Sequence, residues 1–249
     1  MSDILLRQMK FHKLTKSQYS FIDAIDGWLT EPSSNLLYSL AKNCKGKGII
    51  VEIGSWKGRS TTALGFGSKA GKKVKILAID HHTGSPFERQ LFDKPIWTFE
   101  EFKRNIKKAK IDDMVIPKVA TSEEVAKNWK KPVELLWIDG SHVYEDVKKD
   151  FELWFPHVIE GGYVVMDDTI NIFGPRKVAI DNIYNSRMFT DVGIIDALTY
   201  GKKIKRNSIK DILRNKYILC INYFSYFVWR IPTPKFMRLA GKKILQFLQ

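Results

Sequence analysis

"VELLWIDGSHVYEDV", residues 133–147, is the stretch that decides how this chain folds. Val133 to Ile138 is a short apolar run of the length expected for a buried strand. It stops abruptly at Asp139, Gly140, Ser141 and His142. A helical pattern then begins, with Val147, Phe151, Trp154 and Phe155 on one face of "YEDVKKDFELWFPHVI". Strand, polar turn and helix form the repeating unit of an α/β fold. Asp-Gly is also ordinary turn chemistry, so these residues alone leave open whether Asp139 and His142 mark a turn or a site.

The same unit recurs on both sides. "GIIVEIGS" is a buried strand followed by a glycine-bearing loop and the helix "GRSTTALGFGSKAG", closed by Gly71. "KVKILAID" is a second strand ending in Asp80, and "TFEEFKRNIKKAK" is a helix with Thr98 as its cap. "DMVIPKVA" is a third strand, followed by a short helix, "SEEVAKNWKK", capped by Thr121 or Ser122. "GGYVVMDD" is a fifth strand after the one at 133–138, and "PRKVAIDNIYNS" is a helix. "FTDVGIIDALTYGKK" reads as a hairpin or two edge strands, and residues 15–29 and 33–43 as helices, the latter capped by Ser33. Five strand–helix alternations predict a doubly wound, mostly parallel sheet with helices on both faces.

Composition suits a soluble globular protein, with 44% hydrophobic and 27% charged residues. The two cysteines, Cys44 and Cys220, have no metal or disulfide spacing. The N-terminus shows no secretory pattern, and no stretch has the roughly 18–20 apolar residues of a spanning helix. A cytoplasmic protein is the expectation. Most of the +14 net charge sits in residues 201–249, where twelve Lys and Arg face one acid, Asp211. The basic tail therefore needs a separate explanation from the main domain.

In an open α/β sheet, ligands bind outside the carboxyl ends of the strands. Those ends carry Glu52, Gly54, Ser55 and Gly58; Asp80, His81 and His82; Thr121, Ser122 and Glu123; Asp139 and His142; and Asp167, Asp168 and Thr169. The first loop has the spacing G-x-x-x-G, not the dinucleotide fingerprint G-x-G-x-x-G. Glycine lets a backbone approach a ligand closely, and an acid at the end of the second strand suits ribose hydroxyls. A nucleoside-bearing ligand without a pyrophosphate fits both. Asp139, Asp167 and Asp168 on adjacent strand ends would repel one another, and a hard divalent cation would offset that. His142 has the side chain whose ordinary titration lies nearest working pH, as a general base needs.

Together, "VEIGSWKGRSTTAL", "AIDHHTGS" and "LLWIDGSHVYEDVKKDFELWFPHVIEGGYVVMDDT" resemble the class I S-adenosylmethionine-dependent methyltransferases. They are similar to the small bacterial O-methyltransferases of sugars and natural products, and more distantly to the catechol O-methyltransferase group. The resemblance spans residues 48–170. It implies a seven-stranded Rossmann-like sheet with Glu52, Gly54, Ser55, Gly58 and Ser60 at the methionine end of the cofactor. Asp80 and His81 would lie at the ribose, Ser122 and Glu123 at the adenine edge, and Asp139 where cofactor and metal meet. In the catechol group the later metal acids follow the first by 28 and 29 residues, the offsets of Asp167 and Asp168 from Asp139. These three would then hold Mg2+. His142 stands where that group has a lysine base.

The implied activity is methyl transfer from S-adenosylmethionine to a hydroxyl of a sugar or small phenolic or polyol metabolite, Mg2+-assisted, with His142 as base. The alternatives are metal-independent transfer and a silent nucleoside-binding module; an NAD-dependent dehydrogenase is disfavoured by the loop spacing. The division expected is a helical cap over 1–46, a catalytic domain over 47–203 and a basic aromatic extension over 204–249. "YILCINYFSYFVW" and "KFMRLAGKKILQFLQ" in that extension suit cover for the sheet or a homo-oligomer contact. They also suit an anionic membrane, at whose inner face the protein would be peripheral. Nucleic acid fits such an apolar run less well.

Overall fold

The structure is a computed structural model that describes residues 10–84, 89 and 95–230. Two helices, α1 (Lys16–Asp23) and α2 (Glu31–Asn43), precede the first strand. The chain then alternates: β1 (Ile49–Ile53), α3 (Arg59–Ala70), β2 (Ile76–Asp80), α4 (Phe99–Lys108), β3 (Val115–Val119), α5 (Ser122–Ala126), β4 (Val133–Ile138), α6 (Tyr144–Trp154) and β5 (Val158–Met166). Helix α7 (Phe173–Ala179) runs on as a π-helical turn through Tyr184. The hairpin β6 (Phe189–Ile195) and β7 (Leu198–Lys203) follows, and then α8 (Ile209–Arg230).

These strands make one seven-stranded sheet in the order β3-β2-β1-β4-β5-β7-β6. β1 pairs in parallel with β2 and β4, and β4 with β5, whereas β7 runs antiparallel to β5 and β6. The strand order reverses between β1 and β4, which is where an open α/β sheet leaves a crevice. β4 is buried at all six positions, as a central strand covered on both faces must be.

Each face has its own core. One packs Val51, Leu136, Phe151, Trp154, Val164 and Ile183 beneath α6, α7 and α8. The other packs Leu36, Leu37, Leu64, Ile76, Phe102 and Trp137 beneath α2, α3 and α4. The expected cap–domain–extension division is therefore not a division of packing. Leu36, Leu37 and Leu40 of α2 belong to the second core, and Ile218, Leu219 and Ile221 of α8 to the first. The N-cap of α2 is Thr30 and not Ser33: the Thr30 hydroxyl accepts from the Ser33 amide at 3.3 Å. Proline favours the first helical turn, so Pro32 places the cap upstream of itself. The expected tail stretch from residue 235 onward lies outside the described residues.

Candidate active site

The glycine loop is built by two left-handed glycines. Gly54 has φ +85°, and a Cβ there would lie 2.0 Å from the Asp139 carbonyl oxygen. The loop after β1 is thus pressed against the end of β4, where the Asp139 amide donates to the Ile53 carbonyl at 2.8 Å. Gly58 has φ +89° and caps α3 in a conformation side chains rarely adopt. These two positions fix the turn at the crevice.

Asp80 holds that turn from the neighbouring strand. Its Oδ2 accepts the Ser55 amide at 2.9 Å and the Trp56 amide at 2.7 Å, and its Oδ1 accepts the His82 amide at 2.6 Å. A carboxylate has about four lone-pair sites, so Oδ1 keeps capacity for an outside donor. Ser55 is buried with a hydroxyl that has no hydrogen-bond partner. A buried hydroxyl in a cradle that only glycine can form is what a ligand-binding loop leaves behind.

Glu52 and Ser60, expected at the cofactor's methionine end, engage one another. The Glu52 carboxylate is fully buried and accepts from the Ser60 and Thr61 hydroxyls, both at 2.6 Å. It ties the first turn of α3 to β1. Burial pushes its carboxyl up to about 7, against the pull of the two hydroxyls. His81 and His82 do different jobs. The His81 ring sits 2.8 Å from the Thr83 hydroxyl at the rim. His82 is buried, 2.8 Å from the Thr98 hydroxyl and against Phe99 and Phe102, and desolvation lowers its pKa.

On the adenine side, Ser122 donates to the Asp150 carboxylate, while Glu123 turns outward to an ion pair with Lys149. Asp150 was not among the sequence candidates. Its Oδ2 lies 3.6 Å from where a Cβ on Gly140 would be, so it sits beneath the rim between β4 and α5. Burial, first of all, raises its carboxyl to about 6. The readable signal was an acid at 150 within the apolar stripe of Val147, Phe151 and Trp154.

Across the crevice, His142 Nε2 lies 2.7 Å from Asp168 Oδ2. Asp168 has φ +57°, and its amide donates to Asp167 Oδ1 at 2.7 Å. Burial and then the neighbouring Asp168 push the Asp167 carboxyl up to about 7. The segment is held from three directions. The Asp167 amide bonds the Ile138 carbonyl, the Thr169 amide bonds the Ala197 carbonyl, and the Asn222 amide group of α8 donates to the Thr169 carbonyl at 3.0 Å. Asn222 also accepts from Arg176 Nε at 3.1 Å. Sequence reading missed this support, because Asn222 lies inside an apolar run.

The arrangement of Asp139, Asp167 and Asp168 adds no support to the Mg2+ expectation. Asp139 is exposed, and among the described residues no group of three or more His, Cys, Asp or Glu side chains could hold a metal ion. Asp168 of the adjacent pair faces His142, and burial raises the Asp167 carboxyl.

A family model described as a methyltransferase domain matches residues 51–169. An uncharacterized protein of Acanthamoeba polyphaga mimivirus is 30% identical over 122 residues, a match covering 47% of this chain and 50% of that relative. This chain thus spans about half the length of the curated relative it matches. The O-methyltransferase TomG of Streptomyces achromogenes, solved with S-adenosylmethionine, superimposes with a TM-score of 0.54 at 16% identity, covering 82% of this chain and 95% of its own. An O-methyltransferase of Bacillus cereus, solved with S-adenosylhomocysteine, gives 0.55 at 14% identity, covering 81% and 97%. At such identities the superpositions speak for the fold. The loops at the ends of β1, β2, β4 and β5 all fall within residues 51–169, the segment that matches the methyltransferase-domain model.

Proposed function

We propose that the protein transfers a methyl group from S-adenosylmethionine to a hydroxyl of a small polar acceptor, without a metal. The observation that carries this is the buried, unbonded Ser55 hydroxyl in a glycine loop held by Asp80, beside a His142–Asp168 pair on the adjacent strand ends. The residues fit the cofactor. Ser55 and the loop amides would hold its amino-acid end, the remaining capacity of Asp80 Oδ1 its ribose, and Ser122 with Asp150 the base. Bound there, the cofactor supplies the sulfonium methyl group.

The chain's own residues do the rest. His142 in its neutral form, with its Nε2–H donated to Asp168 Oδ2 at 2.7 Å, takes the acceptor's proton at Nδ1 as the oxygen attacks. Asp168 then stabilises the imidazolium. The pair thus works as a base and its orienting acid. Asp139 lines the mouth between loop and base, and it positions without coordinating. A hydroxyl acceptor is in keeping with the O-methyltransferases among the fold relatives, and a sugar or a small phenolic or polyol is the class proposed.

The test is transfer of labelled methyl from S-adenosylmethionine to a panel of sugar, polyol and phenolic acceptors, with and without a chelator. Product formation that survives chelation supports the reading. Product that vanishes on chelation and returns with Mg2+ restores the metal-assisted mechanism and removes this one.

A further inference from the structure

Helix α8 shows solvent a face that its core packing does not explain. Ile209, Leu213, Tyr223, Phe224 and Phe227 are each between 50% and 78% exposed. At about 100° per residue, 209, 213, 224 and 227 fall on one side of the helix. The opposite side carries Ile218, Leu219, Ile221 and Asn222, which are buried. The helix is therefore apolar on two sides, and only one of them meets the sheet.

The helix meets α7 through Arg176. Arg176 of α7 stacks under the Tyr223 and Tyr226 rings, 4.7 and 4.2 Å from their centroids. One turn earlier, Phe173 is 74% exposed and its ring lies 6.4 Å from that of Tyr144. Beside it, the start of α7 packs on His142 itself: a Cβ on Gly174 would lie 2.3 Å from the His142 carbonyl oxygen. Val143, next in the chain, is half exposed. Exposed apolar side chains thus stand on the base's own loop, at the start of α7 and on α8.

The charge on the helix is mainly of one sign: Lys210, Arg214, Lys216 and Arg230 stand against Asp211. Asp211 is itself engaged by the Thr190 and Ser208 hydroxyls. Apolar and aromatic side chains flanked by Lys and Arg match an anionic bilayer surface, where the former enter the interface and the latter meet the headgroups. A nucleic acid would use the cations and leave Leu213 and Phe227 in water. Among the described residues no helix is long and apolar enough to cross a membrane, so the helix would lie along the surface.

We infer that the outer face of α8, extended by Phe173 and Val143, docks on anionic lipid and presents the mouth of the site to it. The docking stands on this surface alone. That the acceptor hydroxyl belongs to a membrane-borne molecule rests in addition on the methyl-transfer reading.

The test is co-sedimentation of the full chain with vesicles of phosphatidylcholine alone, or with phosphatidylglycerol added. Partition into the anionic vesicles should exceed that into neutral ones about tenfold and weaken with salt. A combined Leu213→Ser, Phe224→Ser, Phe227→Ser variant, altered only at exposed positions, should lose about tenfold or more of it. Its titration with S-adenosylhomocysteine should match the wild type, which separates failure of docking from failure of the cofactor reading. Three results overturn the inference: no partition of the full chain, partition that the triple variant keeps in full, or a triple variant whose only change is conversion of a dimer to a monomer. As a control for folding, Lys210→Gln with Lys216→Gln should weaken anionic partition while leaving the apolar face intact.

Discussion

The two halves of the sheet rim are both rich in acids, and they treat them in opposite ways. At β1 and β2, Glu52 and Asp80 accept five hydrogen bonds from the chain's own amides and hydroxyls. At β4 and β5, Asp139 is exposed, and Asp168 offers its carboxylate to a histidine that is itself partly exposed. The first half is held in place by the chain's own hydrogen bonds. The second keeps its charges where a substrate can change them. Preorganised donors and acceptors on rigid strand ends suit binding, whereas a base must be reached by the proton it removes.

Removing the base should break this contrast most severely. His142→Ala is expected to lower methyl transfer about 10²–10⁴-fold, with S-adenosylhomocysteine affinity unchanged by calorimetry. A proportionate loss of cofactor binding would place His142 in the cradle and erase the distinction. Asp80→Asn should do the reverse. Losing a charged acceptor for two loop amides costs about 1.5–3 kcal/mol, so cofactor affinity should fall roughly ten- to a hundredfold while the bound complex still turns over.

Asp168→Asn probes the reactive half more gently. The variant lacks the charge that favours imidazolium. The rate should drop about tenfold, and the acid limb of its pH profile should move to lower pH. A profile that stays in place would mean that the 2.7 Å contact does not tune the base.

The smallest effect concerns stability at the cradle. Glu52 is raised from 4.5 to about 7, mainly by burial. The fold thus prefers the protonated acid. That stability is fully present below pH 4.5 and is lost as pH rises through about 7. At roughly 1.4 kcal/mol per unit the difference is on the order of 3–4 kcal/mol. Glu52→Gln should flatten the fall of Tm over that window and be relatively more stable at pH 8 than at pH 4.5. Parallel curves for the two proteins would mean that Glu52 does not titrate there.

Much of this was legible in the sequence, for identifiable reasons. Val133–Ile138 had to be a buried strand because nothing polar interrupts it, and Asp139 and His142 stood out as the first polar groups after it. The glycine loop and Asp80 were readable because turn geometry constrains residue type. The partnership of Glu52 with Ser60 and Thr61 was not, since a helix turn folding back on its strand depends on register and not on spacing. The metal expectation rests on spacing in the same way. The spacing of Asp139, Asp167 and Asp168 carries no information on where their carboxylates point, and Asp168 in a left-handed conformation turns to His142. Asn222 was hidden because one amide within an aromatic run shows its role only when α8 is laid against Thr169.

The central claim is that the first half of the rim is a cradle for S-adenosylmethionine. Calorimetric titration of the full chain with S-adenosylhomocysteine and, separately, with NAD tests it without knowledge of the acceptor. The account predicts one site per chain for S-adenosylhomocysteine, weakened about tenfold or more by Asp80→Asn, and no heat with NAD. Binding of NAD, or S-adenosylhomocysteine binding indifferent to Asp80, would contradict it.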